Sequence, residues 1–370
     1  MTRTARHPAG PTSRPDLDEG FARLSEPYRR ELLAHCYRML GSIHDAEDAV
    51  QETYLQAWRG YGDFEGRSSL RTWLYRIATR ACLKAMESAG RRPLPSGLGG
   101  PSDDADDGVG GRLLETPWLE PAPDALLGVD TATVVESRES IRLAFVAALQ
   151  HLPGRQRAVL ILRDVLAWRA DEVADLLDTS TAAVNSALQR ARAQLHQIAP
   201  TEDGVAEPTD PDRRALVDRY ATAFENADLD ALTEVLTDDT IWEMPPIPTW
   251  YAGRESVVRF LARRILAPGD YRLIPTRANG QPAFGSYALR DGVYQPHSLQ
   301  VLTVTAEGIS RVVAFLDAEL FALCGLPAVL DADGGGTGSG EVKAPGGAAA
   351  SGSATDGSGL PVSRGARCFT

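Results

Sequence analysis

The sequence predicts a multidomain chain in which two all-α units precede a smaller α+β unit. Three observations carry this. Apolar residues recur at helical spacing from about Leu24 to Met86 and again from about Glu139 to Ile198. Between these blocks the pattern collapses into Pro, Gly, Ser and Asp. From Arg213 onward, helical spacing gives way to two-residue alternation, the mark of helices followed by an antiparallel sheet. A length of 370 residues agrees with two or three domains.

Composition narrows the class. A hydrophobic fraction of 43% with 24% charged residues is that of a soluble globular protein. No apolar run approaches the roughly 20 residues of a membrane span, so no membrane partner is expected. Met1 to Pro15 carries Arg3, Arg6 and Arg14 without an apolar stretch behind them, which argues against a secretory signal. Cys36, Cys82, Cys324 and Cys368 are scattered without a C-x-x-C pair. They read as thiols of a reducing cytoplasm, with Cys36 and Cys82 buried, and neither a metal nor a cofactor is expected. Lys84 and Lys343 are the lysines among 38 basic residues. The arginine bias favours bidentate contacts to phosphate or carboxylate. The net charge of -12 is wrong for a nucleic-acid binder as a whole, so any such contact must come from local basic faces.

Residues 1–20 read as a disordered lead-in and 21–90 as the first helical domain. Residues 91–135 read as a flexible acidic linker, with Asp103, Asp104, Asp106 and Asp107 crowded together and little apolar surface to offset ordering. Within it Trp118-Leu119-Glu120-Pro121 is apolar enough to dock on a neighbour, and the acids are placed to cover a basic face. Residues 136–199 form the second helical domain, 200–211 a second linker, 212–330 the α+β unit and 331–370 a Gly, Ala and Ser-rich flexible tail.

In the first domain, Asp45 to Trp58 reads as one helix with Asp45 as N-cap. Ala46, Ala49, Val50, Thr53, Ala57 and Trp58 make the inward stripe, which leaves Glu47, Asp48, Gln51 and Glu52 as an acidic face. Taken alone, that is a solvated face. The next helix, capped by Ser68 or Ser69, turns Leu70, Trp73, Leu74, Ile77, Ala78 and Ala81 inward. Arg71, Arg76, Arg80 and Lys84 line the remainder. Arg76, Arg80 and Lys84 follow at i, i+4, where like charges repel by roughly a few tenths of a kcal/mol per pair. Such a face suits a phosphate backbone, and Tyr75 among the arginines is placed to stack on a base.

These residues resemble region 2 of the sigma-70 family, in its extracytoplasmic-function group. The matching stretches are Ala46-Glu47-Asp48-Ala49-Val50-Gln51-Glu52-Thr53 and Ser69-Leu70-Arg71-Thr72-Trp73-Leu74-Tyr75-Arg76-Ile77-Ala78. The resemblance implies that Glu47, Asp48, Gln51 and Glu52 grip the clamp of core RNA polymerase. It also implies that Arg71, Trp73, Tyr75, Arg76, Arg80 and Lys84 read and open the minus-ten promoter element. Family members often carry Asn and Asp where this chain has Arg80 and Lys84.

The second domain reads as four short helices: Ile141 to Leu149, Gln156 to Leu166, Glu172 to Leu177 and Thr181 to Leu195. Leu177-Asp178-Thr179-Ser180 is short enough for the turn of a helix-turn-helix. Asp178 stands where such turns usually carry glycine and tolerates a left-handed backbone. With Ser180 or Thr181 as cap, the last helix packs Val184, Ala187, Leu188 and Ala191 inward. Asn185, Ser186, Gln189, Arg190 and Arg192 then face out, a set able to contact bases and phosphates in a major groove. A small structural helix pair with solvated arginines fits the same pattern. Leu152-Pro153-Gly154-Arg155-Gln156-Arg157-Ala158-Val159-Leu160 and Val184-Asn185-Ser186-Ala187-Leu188-Gln189-Arg190-Ala191-Arg192 resemble sigma region 4. That implies contact with the minus-thirty-five element, including Ser180 and Thr181.

In the third unit, Arg213 to Leu236 reads as two helices, Thr240 to Met244 as a strand broken by Pro245-Pro246, and Gly253 to Arg264 as an amphipathic helix. His297 to Thr305 and Ile309 to Asp317 alternate as strands. The pattern, with Met244-Pro245-Pro246 and Trp250-Tyr251-Ala252-Gly253-Arg254-Glu255, resembles the SnoaL-like fold, in the form fused to sigma factors of the SigG-like and SigJ-like groups. Some members of that fold are enzymes, and Asp317, His297 and Tyr294 are the residues that would serve here. The expectation is a regulatory domain without catalytic residues, and a small-molecule ligand is a possible partner. The leading function is a transcription initiation factor. A polymerase-independent helix-turn-helix regulator and a SnoaL-like enzyme are the alternatives.

Overall fold

The computed structural model describes residues 14–88, 90–104, 109–128, 139–198 and 211–331. The first domain holds α1 (Arg14–Ser25), α2 (Arg29–Leu40), α3 (Ile43–Gly60) and α4 (Leu70–Ser88). Helix α1 starts inside the expected lead-in. Its Phe21 is buried, with ring contacts to Tyr54 and Tyr61 at 6.3 and 5.1 Å. Helix α2 ends at Gly41, whose φ of 72° lets its N–H return to the Tyr37 carbonyl. A side chain there would also meet Gln150 at 2.8 Å and Leu119 at 2.9 Å.

Helix α3 starts a little earlier than its acidic run indicates. Ser42, not Asp45, is the cap, its Oγ accepting the Asp45 N–H at 3.1 Å. Ala46, Ala49, Val50, Thr53 and Ala57 are buried as expected, but Trp58 is 40% exposed. A helix turns about 100° per residue, which swings Trp58 off the face that holds Ala57. Ser69 caps α4 by accepting the Thr72 N–H, and Cys36 and Cys82 are buried free thiols.

The described part of the 91–135 stretch is packed rather than loose. Leu94, Leu119, Ala122 and Leu127 are buried. It forms a 3-10 turn at Pro95–Gly97 and helix α5 (Asp124–Leu127), and otherwise lies extended across the other domains. Leu94, Leu119, Ala122 and Leu127 join the core of the helical domains, while Leu98, Leu113 and Leu114 stay exposed, so a count of apolar residues within the segment misses the partners outside it. Asp106, Asp107 and residues 129–135 lie outside the described residues, as do 199–210 and 332–370.

The second domain comprises α6 (Leu143–Leu149), α7 (Gly154–Leu160) running into a π turn at Ile161–Val165, α8 (Ala170–Leu176) and α9 (Thr181–Ile198). Asp178 joins α8 to α9 at φ 51°, the left-handed turn expected of it, and Ser180 Oγ accepts the Ala183 N–H.

The third domain begins with α10 (Pro211–Glu225) and α11 (Leu229–Val235). Strands β1 (Leu236–Met244) and β2 (Ile247–Ala252) meet at Pro245-Pro246, and Gly253 leads into α12 (Arg254–Leu261). Strands β3 (Tyr271–Ala278), β4 (Gln281–Arg290), β5 (Val293–Val304) and β6 (Ile309–Phe315) follow, then α13 (Glu319–Leu323) and β7 (Leu330–Asp331). The sheet order is β2-β1-β6-β5-β4-β3, with β1 and β6 parallel and β7 on β5. One face packs Phe284, Leu302, Val304 and Val312 beneath the domain's own helices. The other face, with Ala283, Leu299, Val301 and Val313, joins the core of the helical domains. The sheet is thus a wall shared by all three domains.

Candidate functional site

Asp48, Gln51 and Glu52 are exposed along α3 and Glu47 is half-buried, so the acidic face lies at the surface. Beyond a Gln56 to Glu52 hydrogen bond along the helix, no hydrogen bond or ion pair ties these four to another domain among the described residues. The N-terminus of this helix is clasped from elsewhere. Glu120 accepts hydrogen bonds from Ser42 Oγ at 2.7 Å and the Ile43 N–H at 3.1 Å, and pairs with His44 at 2.9 Å. A carboxylate there complements the positive end of the helix dipole. Burial works against the charged form of His44. The Glu120 hydrogen bond and charge, with Asp317 and Glu319 of the third domain, more than offset it and hold His44 above its ordinary value. Arg92 closes the arrangement by pairing with Asp45.

The basic face of α4 is engaged in part. Arg71 forms a forked pair with Glu31, its closest contact 2.8 Å, and lies 4.9 Å over the Tyr75 ring. Arg76 donates to the Asp175 carbonyl at 2.9 Å, and Arg80 pairs with Asp178 in the helix-turn-helix turn. Tyr75 is not a free stacking platform here. It is fully buried, its ring 5.3 Å from Trp168 and 5.1 Å from His35. The Trp73 ring is half-buried against Phe64 at 4.8 Å, and Lys84 remains exposed. Among the described residues the partners of Arg76 and Arg80 come from the second domain and that of Arg71 from α2, while the linker acids Glu120 and Asp124 pair with α3 and Arg277.

The α9 face is open. Ser180, Thr181, Asn185, Ser186, Gln189, Arg190 and Arg192 are all exposed, while Val184, Leu188 and Ala191 are buried. Arg192 is braced by Asp164 at 2.7 Å, which raises its affinity for its proton and fixes its direction.

Sequence reasoning missed the residues that join the domains. Asn279, fully buried at φ 57°, accepts the Ala122 N–H at 2.9 Å and donates to Tyr37 Oη and the Ile141 carbonyl, each at 2.7 Å. Gln281 accepts the Leu143 N–H at 2.9 Å, and buried Asp124 accepts from Arg277 at 3.0 Å and the Gly280 N–H at 2.7 Å. Buried Glu243 pairs with Arg311 at 2.9 Å and accepts the Ser96 N–H at 2.8 Å. The Asn279-Gly280 pair signals only a hairpin turn. Its contact across domains has no local signature.

The three residues considered for chemistry are not assembled. Tyr294 donates to the Gly269 carbonyl, His297 faces the Tyr271 ring, and exposed Asp317 accepts the Glu319 N–H. Burial, then the nearby Arg290 and Arg112, lower His297 to about 4.

Three family models match in order: Sigma-70 region 2 over residues 24–92, Sigma-70 region 4 over 142–195 and the SnoaL-like domain over 217–317. The chain is 55% identical over 314 residues to the ECF RNA polymerase sigma factor SigG of Mycobacterium tuberculosis, covering 83% of this chain and 84% of the relative. It is 29% identical over 243 residues to SigJ of the same organism, covering 64% and 70%. The crystal structure of M. tuberculosis SigJ superposes with a TM-score of 0.56 at 25% identity, covering 83% of this chain and 100% of that one.

Proposed function

This chain belongs to the extracytoplasmic-function family of RNA polymerase sigma factors, and from that premise we propose how its surfaces are used. The acidic face of α3 binds core RNA polymerase through Glu47, Asp48, Gln51 and Glu52. The α9 face carries Ser180, Thr181, Asn185, Ser186, Gln189, Arg190 and Arg192 to the upstream promoter element. Arg71, Trp73, Tyr75, Arg76, Arg80 and Lys84 of α4 serve the minus-ten element once the second domain has moved away. The protein works in the cytoplasm as a transcription factor with no chemistry of its own, and the SnoaL-like domain holds the closed arrangement through Asn279, Gln281 and Arg277.

One observation carries this reading. The α3 and α9 polar faces stand at the surface while Arg76 and Arg80 of α4 are engaged by the helix-turn-helix itself. That distribution suits a free factor able to meet polymerase first and promoter DNA second. Run-off transcription with purified core polymerase and a promoter library tests it. Transcripts that require both the chain and the core enzyme are expected. DNA binding without any core-dependent transcript would leave a helix-turn-helix regulator instead.

A further inference from the structure

A cavity of about 180 Å³ opens where the third domain meets the second. It lies between the first turns of α10, the β3–β4 hairpin and the residue preceding α6. Val217, Phe284, Leu302 and Val304 give it an apolar floor, with Phe284 and Leu302 at 3% and 0% exposure. Arg142, Arg213, Arg214 and Arg277 surround it, against one lining acid, Asp218. Arg277 is held by Asp124, and Arg142 and Arg213 also engage protein groups. Arg214 differs. It is exposed on the first turn of α10, and no hydrogen bond or ion pair holds it among the described residues.

This cavity is not the region around His297. Along β5 it reaches Leu302 and Val304, about 20 Å of extended strand from that histidine. Size limits the occupant. A dry cavity of ~150 Å³ admits a benzene ring, so this one takes a single ring or a short branched chain. Charge limits it further. An arginine cluster selects a planar anion that can accept two parallel N–H bonds, and the apolar floor selects against a bare, fully hydrated ion.

We propose that this cavity binds a small aryl carboxylate, its ring on Phe284 and Leu302 and its carboxylate on Arg214. The site adjoins the Gln281 to Leu143 hydrogen bond that ties the third domain to the second, so an occupant touches the joint between them. The proposal stands whether or not the chain serves polymerase.

Isothermal titration of the full chain with benzoate tests it, with benzyl alcohol and inorganic phosphate as controls for ring alone and charge alone. Saturable binding of benzoate, with neither control binding comparably, is expected. Arg214→Ala, on an exposed side chain, is expected to weaken it by about tenfold or more, and Val217→Trp to block the cavity. Circular dichroism of both variants confirms that they fold. Phosphate binding as well as benzoate would reduce the site to an anion patch and overturn the proposal. So would benzoate binding indifferent to both substitutions in folded protein, or no saturable heat at millimolar benzoate.

Discussion

Asn279 adopts a left-handed backbone that asparagine tolerates better than most residues, and its amide then serves partners in both helical domains and the packed linker. Asn279→Ala orphans the buried Ala122 N–H and the Ile141 carbonyl. Each such group costs roughly 1–3 kcal/mol, so hydrogen exchange at the Ala122 amide is expected to accelerate by about ten- to a hundredfold. Unchanged protection would mean that this joint is already open in solution. The exposed acids of α3 make a second prediction. Reversing charge at Asp48 and Glu52 is expected to weaken affinity for core polymerase at fixed salt while thermal stability stays near wild type, since both side chains are exposed. In α9, Arg190→Ala is expected to cost about 1–3 kcal/mol on the upstream element if Arg190 reads a base. A uniform loss across sequences, with a salt slope smaller by about one, marks a phosphate contact. Loss of neither kind would remove Arg190 from the interface.

At the scale of elements, legibility followed how local each signal was. Helices α4 and α9 were readable because their inward stripes and serine caps lie within one segment. Helix α3 was readable from its stripe although its cap is Ser42 rather than Asp45, and the Asp178 turn was readable from one residue's backbone tolerance. Strand β5 shows the limit. It is expected as an alternating strand, and Leu299 and Val301 are buried on one side while Leu302 and Val304 are buried on the other. The second burial comes from a different domain and leaves no period in the strand. Tyr75 was misread for the same reason, since Trp168 covers it from roughly ninety residues away in sequence. The packing of the described residues within 91–128 was hidden because apolar count within a segment ignores partners outside it. That segment also yields a pH prediction. His44 is held above its ordinary value in the folded chain, so its contribution to linker docking is full below its unfolded value near 6.5 and fades as pH rises through the folded one. Proteolytic protection of the Trp118 to Pro121 stretch is therefore expected to decline from pH 6 toward pH 8, and His44→Gln is expected to flatten that profile. A profile identical in both proteins would exclude His44 as the sensor.

At the scale of the molecule, three domains share one wall of sheet, and α4 is closed against the helix-turn-helix. In the function proposed above α4 and α9 meet promoter DNA together, so on that reading the closed body is the free protein's and opens on polymerase. Ending the chain near Ala199 removes the clasp of Asn279, Gln281 and Arg277, and promoter output with core polymerase is expected to change. Equal output across concentrations would make the third domain a passenger. The opening itself is accessible to a single measurement, the distance between spin labels at the exposed positions Lys84 on α4 and Gln189 on α9, in the free chain and in its complex with core polymerase. A short, narrow distance in the free chain that lengthens on binding polymerase is the predicted result. The same distance distribution in both states would contradict the closed-to-open account.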